Sequence, residues 1–266
     1  MHARAFAFWL VCSACLAVSP VHALEWVESP RIAMLFRDAQ VTGTFVLYDI
    51  EARRLIGHDE TRARKRYVPA STYKVPHSLI GLASGAVRSV DEALPYGGKP
   101  QPFDAWEKDM GLREAIALSA VPIYQELARR IGPERMQTHI TGLDYGNARI
   151  GSVVDRFWLD GPLAISAVEQ TQFLARLAQG ALPYSAAQQQ AVREIVLLET
   201  KGDARLYGKT GWQNAPDPGV GWWVGWVEKG GRVHPFALNL DIRSAADAQK
   251  RLDIGKAALR ELGLYD

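Results

Sequence analysis

The chain has little cysteine, and both of its cysteines, Cys12 and Cys15, lie within the first 23 residues. Residues 24–266 therefore contain no thiol for a disulfide or a thiolate metal site, which suits an oxidising compartment outside the cytoplasm. The histidines of this region are His58, His77, His139 and His234. They are scattered, without the short spacing typical of metal ligands. We therefore expect no metal centre.

Long hydrophobic runs are equally scarce. One apolar stretch, at 5–18, follows a short polar start and ends at a Ser-Pro pair, ahead of small residues up to Ala23. It is too short to span a bilayer, and this three-part pattern is typical of a secretory signal peptide. We expect cleavage after Ala23, which leaves residues 24–266 as one domain. A buried N-terminal helix and lipid attachment at Cys15 are the alternatives to this interpretation.

No charge of one sign dominates, since 31 Lys and Arg oppose 29 Asp and Glu for a formal net charge of +2. This balance gives no electrostatic basis for binding nucleic acid or a membrane surface, and we expect neither as a partner. The densest basic cluster is predicted to be a solvated loop rather than a binding patch. It consists of Arg62, Arg64, Lys65 and Arg66.

Hydrophobic periodicity predicts an α+β fold with strands at both ends of the domain. β-Branched and aromatic residues at 43–50 and 53–58 indicate a hairpin, whereas the segment from 71 to 200 has mainly helical spacing. Further strands are predicted at 206–212, 221–228 and 233–242, before a last amphipathic helix at 245–262. We expect the two ends to share one central antiparallel sheet beside a mainly helical subdomain, with a ligand cleft where the two meet.

Ser71 and Lys74 form the first candidate site. Pro69 disfavours helix just upstream and an apolar face follows, so Ser71 is predicted at a helix N-terminus with Lys74 one turn later. Free backbone N–H groups there suit an oxyanion, and a buried or modified lysine can act as the base that a serine nucleophile needs. Alone, the pair is equally explained by an N-cap serine and a solvated lysine.

Lys209-Thr210-Gly211 is the second candidate, within a strand pattern and just before Trp212. A strand with a cation and a small residue can line a cleft and hold an anionic substrate group. A phosphate-binding loop is excluded, because the glycine that it needs upstream is Asp203 and a strand rather than a helix follows. A plain edge-strand lysine is the alternative.

Ser119-Ala120-Val121 lies between these motifs, where the hydroxyl can relay a proton and Val121 can exclude water. The three motifs occur in the order found in penicillin-recognising serine enzymes. On their evidence the chain resembles the class D β-lactamases, the oxacillinase family, over essentially all of residues 24–266. Three further segments share the family's pattern, namely 145–147, 158–161 and the Trp-rich stretch 221–227.

The resemblance implies a serine β-lactamase and penicillin-binding-protein-like fold, and hydrolysis of β-lactam antibiotics through a Ser71 acyl-enzyme. It implies that Lys74 is N-carboxylated by carbon dioxide, supplied as bicarbonate, and is then the general base for acylation and deacylation. No other cofactor is implied. Ser119 would relay the proton to the leaving group, and the Trp158 indole N–H would donate to the carboxylated lysine.

Substrate binding and location are implied in the same way. The family's oxyanion hole maps onto the backbone N–H groups of Ser71 and Trp212, and Lys209, Thr210 and Arg251 would bind the β-lactam carboxylate. The full set of implied substrate-binding residues is Val121, Lys209, Thr210, Gly211, Trp212 and Arg251. A monomer or homodimer in the periplasm of a Gram-negative bacterium is expected, with no membrane insertion.

Glu169 is predicted to complete a capping box with Ser166 rather than to activate the deacylating water. No G-x-S-x-G nucleophile elbow is present in the sequence. The alternative function is a penicillin-binding sensor or transpeptidase-like protein that is acylated without turnover, and a carbohydrate-binding module built on the tryptophans is a third. The substrate spectrum among penicillins, cephalosporins and carbapenems is left open.

Overall fold

The β-branched and aromatic runs of the chain build one seven-stranded sheet. The structure is a computed structural model that describes residues 24–215 and 217–265. The strands are β1 (Glu25–Glu28), β2 (Gly43–Asp49), β3 (Arg54–His58), β4 (Leu197–Lys201), β5 (Ala204–Gln213), β6 (Gly219–Lys229) and β7 (Arg232–Ile242). The predicted signal peptide, residues 1–23, lies outside the described residues, and its cleavage stays a prediction.

The two ends of the chain meet in this sheet, as predicted. Its strand order is β1-β3-β2-β7-β6-β5-β4, and the hairpin of β2 and β3 joins the carboxyl-terminal strands through antiparallel pairing of β2 with β7. The predicted antiparallel pairing is confirmed except at one edge, where β1 runs parallel to β3. A second correction concerns β4, which lies at the opposite edge but falls within the segment predicted to be helical.

Helices cover both faces of the sheet. They are α1 (Pro30–Asp38), α2 (Glu60–Arg64), α3 (Lys74–Ala83), α4 (Leu112–Leu118), α5 (Val121–Ile131), α6 (Pro133–Gly142), α7 (Ala167–Ala178), α8 (Ala186–Ile195) and α9 (Ala245–Glu261), with 3₁₀ turns at Ala70–Tyr73 and Asp104–Trp106. Helix α7 packs on β2 and β7, whereas α1 and α9 pack together on the other side. In the described part of the chain, no helix combines the length and apolarity needed to cross a bilayer.

Alternation along β6 divides the apolar interior into two cores. Trp222 and Trp226 belong to the larger core, which the helices between β3 and β4 complete. Trp223 points the opposite way, into a smaller core beneath α1 and α9. The helical segment is therefore held against one face of the sheet, and the seam between them is the place where a cleft can form.

The basic cluster differs from its prediction. Arg64, Lys65 and Arg66 are exposed, but Arg62 is buried in α2. Its guanidinium donates to Asn239 Oδ1 and to Asp241 Oδ1, both at 2.7 Å. The solvated-loop prediction is thus wrong for Arg62, because its partners on β7 satisfy the charge that water would otherwise solvate.

Candidate active site

Ser71 lies in the 3₁₀ turn Ala70–Tyr73, which leads directly into α3. Pro69 is the N-cap of this turn, and Ala70 adopts a left-handed backbone conformation with φ of 49°. Such a conformation is uncommon for a residue other than glycine and is often found at functional sites. The Ser71 Oγ and the Lys74 Nζ lie 2.8 Å apart. The turn therefore brings a hydroxyl and an amine within hydrogen-bonding distance at the start of a helix.

Lys74 is fully buried. Burial, and then the positive charge of Lys209, hold the pKa of its amine well below the usual range. Its Nζ also lies 5.3 Å from the centre of the Tyr124 ring. The lowered pKa favours the neutral amine, and a neutral amine can act as a base or as a nucleophile.

Trp158 is buried beside the same turn. Its ring centre lies 5.9 Å from that of Tyr73 and 5.0 Å from that of His77. The indole Nε1 is buried and has no hydrogen-bond partner among the residues that the structure describes. Because a buried N–H without an acceptor is destabilising, this position suits a group that brings an acceptor oxygen.

The loop that carries Trp158 is closed by the Tyr145-Gly146-Asn147 segment. Asn147 donates from Nδ2 to the Pro162 carbonyl at 2.8 Å and accepts at Oδ1 from the Ala164 N–H at 3.0 Å. Gly146 has φ of 58°, and a side chain there would overlap the Ala164 carbonyl oxygen. This segment thus fixes the ends of the loop and holds Trp158 in place.

Lys209 approaches from the opposite side, on β5. Its Nζ donates to the Ser119 Oγ and to the Thr210 carbonyl, each at 3.1 Å. Burial, reinforced by the nearby charge of Arg251, lowers the pKa of Lys209 to about 7. Ser119 ends α4 in a left-handed conformation with φ of 57°. The pair places a hydroxyl and an ionisable amine together, an arrangement that can pass a proton.

Gly211 sets the distance between β5 and the 3₁₀ turn Ala70–Tyr73, which we call the nucleophile turn after the predicted role of Ser71. A Cβ at this position would lie 2.9 Å from the Pro69 carbonyl oxygen and 3.1 Å from the Thr72 methyl group. Only glycine permits this approach without a shift of the backbone. The backbone N–H groups of Ser71 and Trp212 consequently belong to two elements that meet side by side.

A cleft of about 590 Å³ opens above this meeting point. The predicted residues that line it are Ser71, Ser119, Val121, Thr210, Gly211, Trp212 and Arg251. Arg251 reaches it from α9, and its Nη1 donates to the Gly211 carbonyl at 3.5 Å. Phe103, Trp106 and Leu118 add an apolar wall. Lys74, Trp158 and Lys209 are buried and are not among the residues that line the cleft.

Known proteins are similar to this chain over most of its length. Residues 43–260 match the family model of the penicillin binding protein transpeptidase domain. β-Lactamase OXA-5 of Pseudomonas aeruginosa is 40% identical over 86% of this chain and 87% of its own. β-Lactamase OXA-48 of Klebsiella pneumoniae is 37% identical over 91% of both. FUS-1 (OXA-85), a class D β-lactamase from Fusobacterium nucleatum subsp. polymorphum, has a crystal structure with a TM-score of 0.87 at 40% identity, covering 90% of this chain and 100% of that one.

The chain belongs to the class D β-lactamases. The predicted family, the α+β serine β-lactamase fold and the enzyme class are thereby confirmed. The named relatives are β-lactamases rather than sensors, which favours an enzyme over a protein that is acylated without turnover.

Several residues of this β-lactamase site were missed by sequence reasoning. Gln170 Nε2 donates to the Thr72 Oγ1 at 2.9 Å, and the Tyr145 hydroxyl donates to the Gln170 Oε1 at 3.3 Å. This chain of hydrogen bonds ties the Tyr-Gly-Asn segment to the nucleophile turn. His77 and Tyr124, which are packed around Lys74, were also missed as site residues. Their spacing carries no signal beyond that of an ordinary apolar helix face.

The capping box of Glu169 is confirmed in the class D β-lactamase. Ser166 Oγ accepts from the Glu169 N–H at 3.2 Å, and the Glu169 Oε2 accepts from the Ser166 N–H at 2.9 Å. The carboxylate also pairs with Arg66. Glu169 is not among the residues that line the cleft. In the described part of the chain, no three His, Cys, Asp or Glu residues come together to hold a metal ion.

Proposed function

We propose that the protein hydrolyses β-lactam antibiotics through an acyl-enzyme on Ser71, with N-carboxylated Lys74 as the general base. The observation that carries this proposal is the complete burial of the Lys74 amine 2.8 Å from the Ser71 hydroxyl. A serine hydroxyl is a weak nucleophile until a neighbouring group takes its proton. The relatives' β-lactamase activity supports the substrate class.

The surroundings of Lys74 fit a carboxylated side chain. A neutral amine forms an N–C bond with carbon dioxide and releases a proton, which yields an anion with two oxygens. The buried Trp158 Nε1–H supplies a donor that has no acceptor among the described residues. The charge of Lys209, which lowers the pKa of the Lys74 amine, favours an anion at the same place. When bound, the carboxyl group supplies a basic oxygen close to Ser71.

Acylation then uses residues from both sides of the cleft. Lys74, once carboxylated, takes the proton of Ser71 as the Oγ bonds to the β-lactam carbonyl carbon. The N–H groups of Ser71 and Trp212 stabilise the oxyanion. The ring C–N bond breaks, and the leaving nitrogen takes a proton from Ser119, which Lys209 replenishes.

The substrate itself is held by other contacts of the cleft. Its carboxylate is bound by Lys209, Thr210 and Arg251, and Val121 and Gly211 form walls of the site.

Deacylation uses the same base, once the proton taken from Ser71 has passed to solvent and Lys209 has regained a proton from solvent. A water molecule gives a proton to carboxylated Lys74, and its oxygen bonds to the ester carbonyl carbon. The ester C–O bond breaks, and Ser71 takes up the proton that carboxylated Lys74 received from the water. Water is consumed in each turnover, and carbon dioxide is needed to carboxylate Lys74; the proposal assigns no step to a metal.

We also propose that the enzyme works in the periplasm of a Gram-negative bacterium after loss of residues 1–23. The polar start, the short apolar run and the small residues up to Ala23 support export. Its proposed partners are β-lactams alone, without nucleic acid or membrane insertion. Both a monomer and a homodimer are compatible with this function.

Bicarbonate dependence tests the carboxylated base. Enzyme that has been degassed and partly inactivated at acid pH is assayed with a chromogenic cephalosporin, with and without added bicarbonate. We expect bicarbonate to restore turnover, and the absence of any effect would refute the modified lysine.

Substitution of Ser71 tests the nucleophile. Ser71→Ala should lose both hydrolysis and the covalent adduct in intact-mass spectra. The matched control is Ser89→Ala, at an exposed serine outside the cleft, which should retain both.

A further inference from the structure

His77 is a buried titratable residue that the mechanism above does not use. It lies one helical turn after Lys74 in α3 and is fully buried. Neither Nδ1 nor Nε2 has a hydrogen-bond partner within the described residues. Because an unsatisfied buried polar group is destabilising, a histidine in this position calls for an explanation that packing alone does not give.

His77 is packed among aromatic rings, one of which also faces Lys74. The ring centre of His77 lies 5.2 Å from that of Tyr73, 5.4 Å from that of Tyr124 and 5.0 Å from that of Trp158. The Lys74 Nζ faces the same Tyr124 ring. We call this group of Tyr73, His77, Tyr124 and Trp158 the lysine compartment. Two of its four members, Trp158 and His77, have buried ring nitrogens without a hydrogen-bond partner among the described residues.

The imidazole is neutral in this compartment. Burial, which is the larger cause, and the positive charge of an unmodified, protonated Lys74 lower the pKa of His77 to about 3. A neutral imidazole carries one N–H donor and one acceptor nitrogen. A carboxylated lysine presents two oxygens, and each carboxylate-type oxygen accepts more than one hydrogen bond. The Trp158 N–H supplies one donor for these oxygens, so acceptor capacity is left for a second.

We propose that His77 is a positioning residue that donates its imidazole N–H to carboxylated Lys74, directly or through one buried water, and thereby sets the affinity of Lys74 for carbon dioxide. This inference rests on the proposed function, because it needs the carboxylated side chain. Hydrogen bonds to charged groups are stronger than those between neutral groups. Loss of the donor is therefore expected to weaken carbon dioxide binding by roughly 10- to 100-fold.

Carbon-13 NMR with labelled bicarbonate measures this affinity without relying on turnover. The occupancy of the carbamate resonance is titrated in the wild type, in His77→Asn, which keeps an N–H donor, and in His77→Leu, which removes it. We expect half-saturation to need about tenfold more bicarbonate or higher in His77→Leu, and nearly the wild-type concentration in His77→Asn. Equal half-saturation in wild type and His77→Leu overturns the inference, as does equal weakening in both variants, which would indicate a packing effect.

Two controls keep the outcomes distinct. A wild type with no carbamate resonance refutes the proposed function itself, whereas a normal wild-type resonance that His77→Leu leaves unchanged refutes only the role of His77. His139→Leu, on α6 and bonded to Tyr184, removes an imidazole elsewhere and should leave the titration unchanged. If His77→Leu does not fold, the flexible His77→Met takes its place with the same expected shift.

Discussion

At the scale of single residues, the chemistry depends on what burial does to ordinary side chains. Lys74 and Lys209 are both lysines near one cleft, yet one has its Nζ beside the Ser71 hydroxyl and the other beside Ser119. Burial lowers the pKa of each. In the proposed mechanism the same residue type serves as a base in one place and as a proton source in the other, because each amine has a different hydroxyl neighbour.

Trp158→Phe tests the donor that faces the proposed base. The change retains most of the ring packing against Tyr73 and His77 but removes the Nε1–H. We expect carboxylated Lys74 to be destabilised, so that deacylation slows by about 10²-fold, the scale of general-base catalysis, and the acyl-enzyme accumulates. Intact-mass spectrometry after mixing with a penicillin measures the adduct.

The control for this change is Trp106→Phe. The Trp106 indole donates to the Leu118 carbonyl at 3.1 Å in the wall of the cleft, away from Lys74. It should change KM more than the lifetime of the adduct. If the adduct of Trp158→Phe disappears as fast as that of the wild type at low bicarbonate, Trp158 does not support the base.

Motifs singled out the proposed nucleophile and residues that the structure brings close to it, but single-residue environments could not be predicted from them. Ser71, Lys74, Ser119 and Lys209 belong to short patterns whose order along the chain is informative. Arg62 belongs to no such pattern, because its partner Asn239 lies 177 residues away in the sequence. An arginine that pairs with such a distant residue cannot be distinguished by its local sequence from an arginine in solvent. Only the folded structure shows the difference.

At the scale of elements, the position of β5 beside the nucleophile turn is set by one missing side chain. Gly211→Ala places a methyl group 2.9 Å from the Pro69 carbonyl oxygen, so the strand or the turn must move. We expect a stability loss of about 1–3 kcal/mol from overpacking. Acylation should slow by about 10²-fold, because the Ser71 and Trp212 N–H groups no longer converge. Rapid-quench acylation and urea unfolding measure the two effects.

Gly142→Ala is the matched control, since a Cβ at this position in α6 meets no atom within 4 Å. Alanine also favours helix over glycine, so stability should not fall. Wild-type acylation by Gly211→Ala would show that the close approach of β5 is not needed for the reaction.

The capping box of α7 gives a second test at this scale. Burial opposes ionisation of Glu169, but hydrogen bonds from Arg66 and Ser166 outweigh it and hold the pKa of the carboxyl below its usual range. A carboxyl with a lowered pKa stabilises the fold above its unfolded pKa and loses this contribution as the pH falls through its folded pKa. Glu169→Gln should therefore lower the free energy of unfolding by about 1 kcal/mol at neutral pH and by less in acid.

Gln188 allows a direct comparison, because it completes a capping box with Ser185 on α8 without a titrating group. Gln188→Ala should destabilise α8 by an amount that does not change between neutral and acid pH. Urea unfolding at both pH values measures this difference. Both variants should retain kcat, and a stalled acyl-enzyme in Glu169→Gln would instead assign the carboxylate to catalysis.

Long, strongly patterned elements were predictable, and short ones were not. The hairpin of β2 and β3, the strands β5 to β7 and α9 were found because their alternation or helical spacing runs over many residues. β1 has only four residues, too few for a period to stand out. β4 begins with two exposed leucines and pairs with β5 through a register shift, so its alternation is broken. Helix α1 was not predicted, although Ser29 as N-cap and a proline in the first turn are sequence signals of a helix start.

At the scale of the whole molecule, the sheet brings two distant parts of the chain to one cleft. Ser71 and Lys74 come from the start of the helical segment, whereas Lys209 and Arg251 come from the carboxyl-terminal strands and helix. The two lysines are expected to work in opposite states of ionisation. Lys74 must lose its proton to be carboxylated, whereas Lys209 binds the substrate carboxylate best with its proton in place. The fold thus places one lysine that must be deprotonated and one that must be protonated beside the same cleft.

A bell-shaped pH profile of kcat/KM follows from this opposition. On the acid side, protonation releases carbon dioxide from Lys74, so activity falls and saturating bicarbonate should move this limb to lower pH. On the alkaline side, Lys209, whose pKa is lowered to about 7, loses its proton and with it the attraction for the substrate carboxylate. Lys209→Arg should move only the alkaline limb, to higher pH, because guanidinium keeps its proton. The alkaline limb would not be due to Lys209 if it shifts with bicarbonate, or if Lys209→Arg leaves it in place.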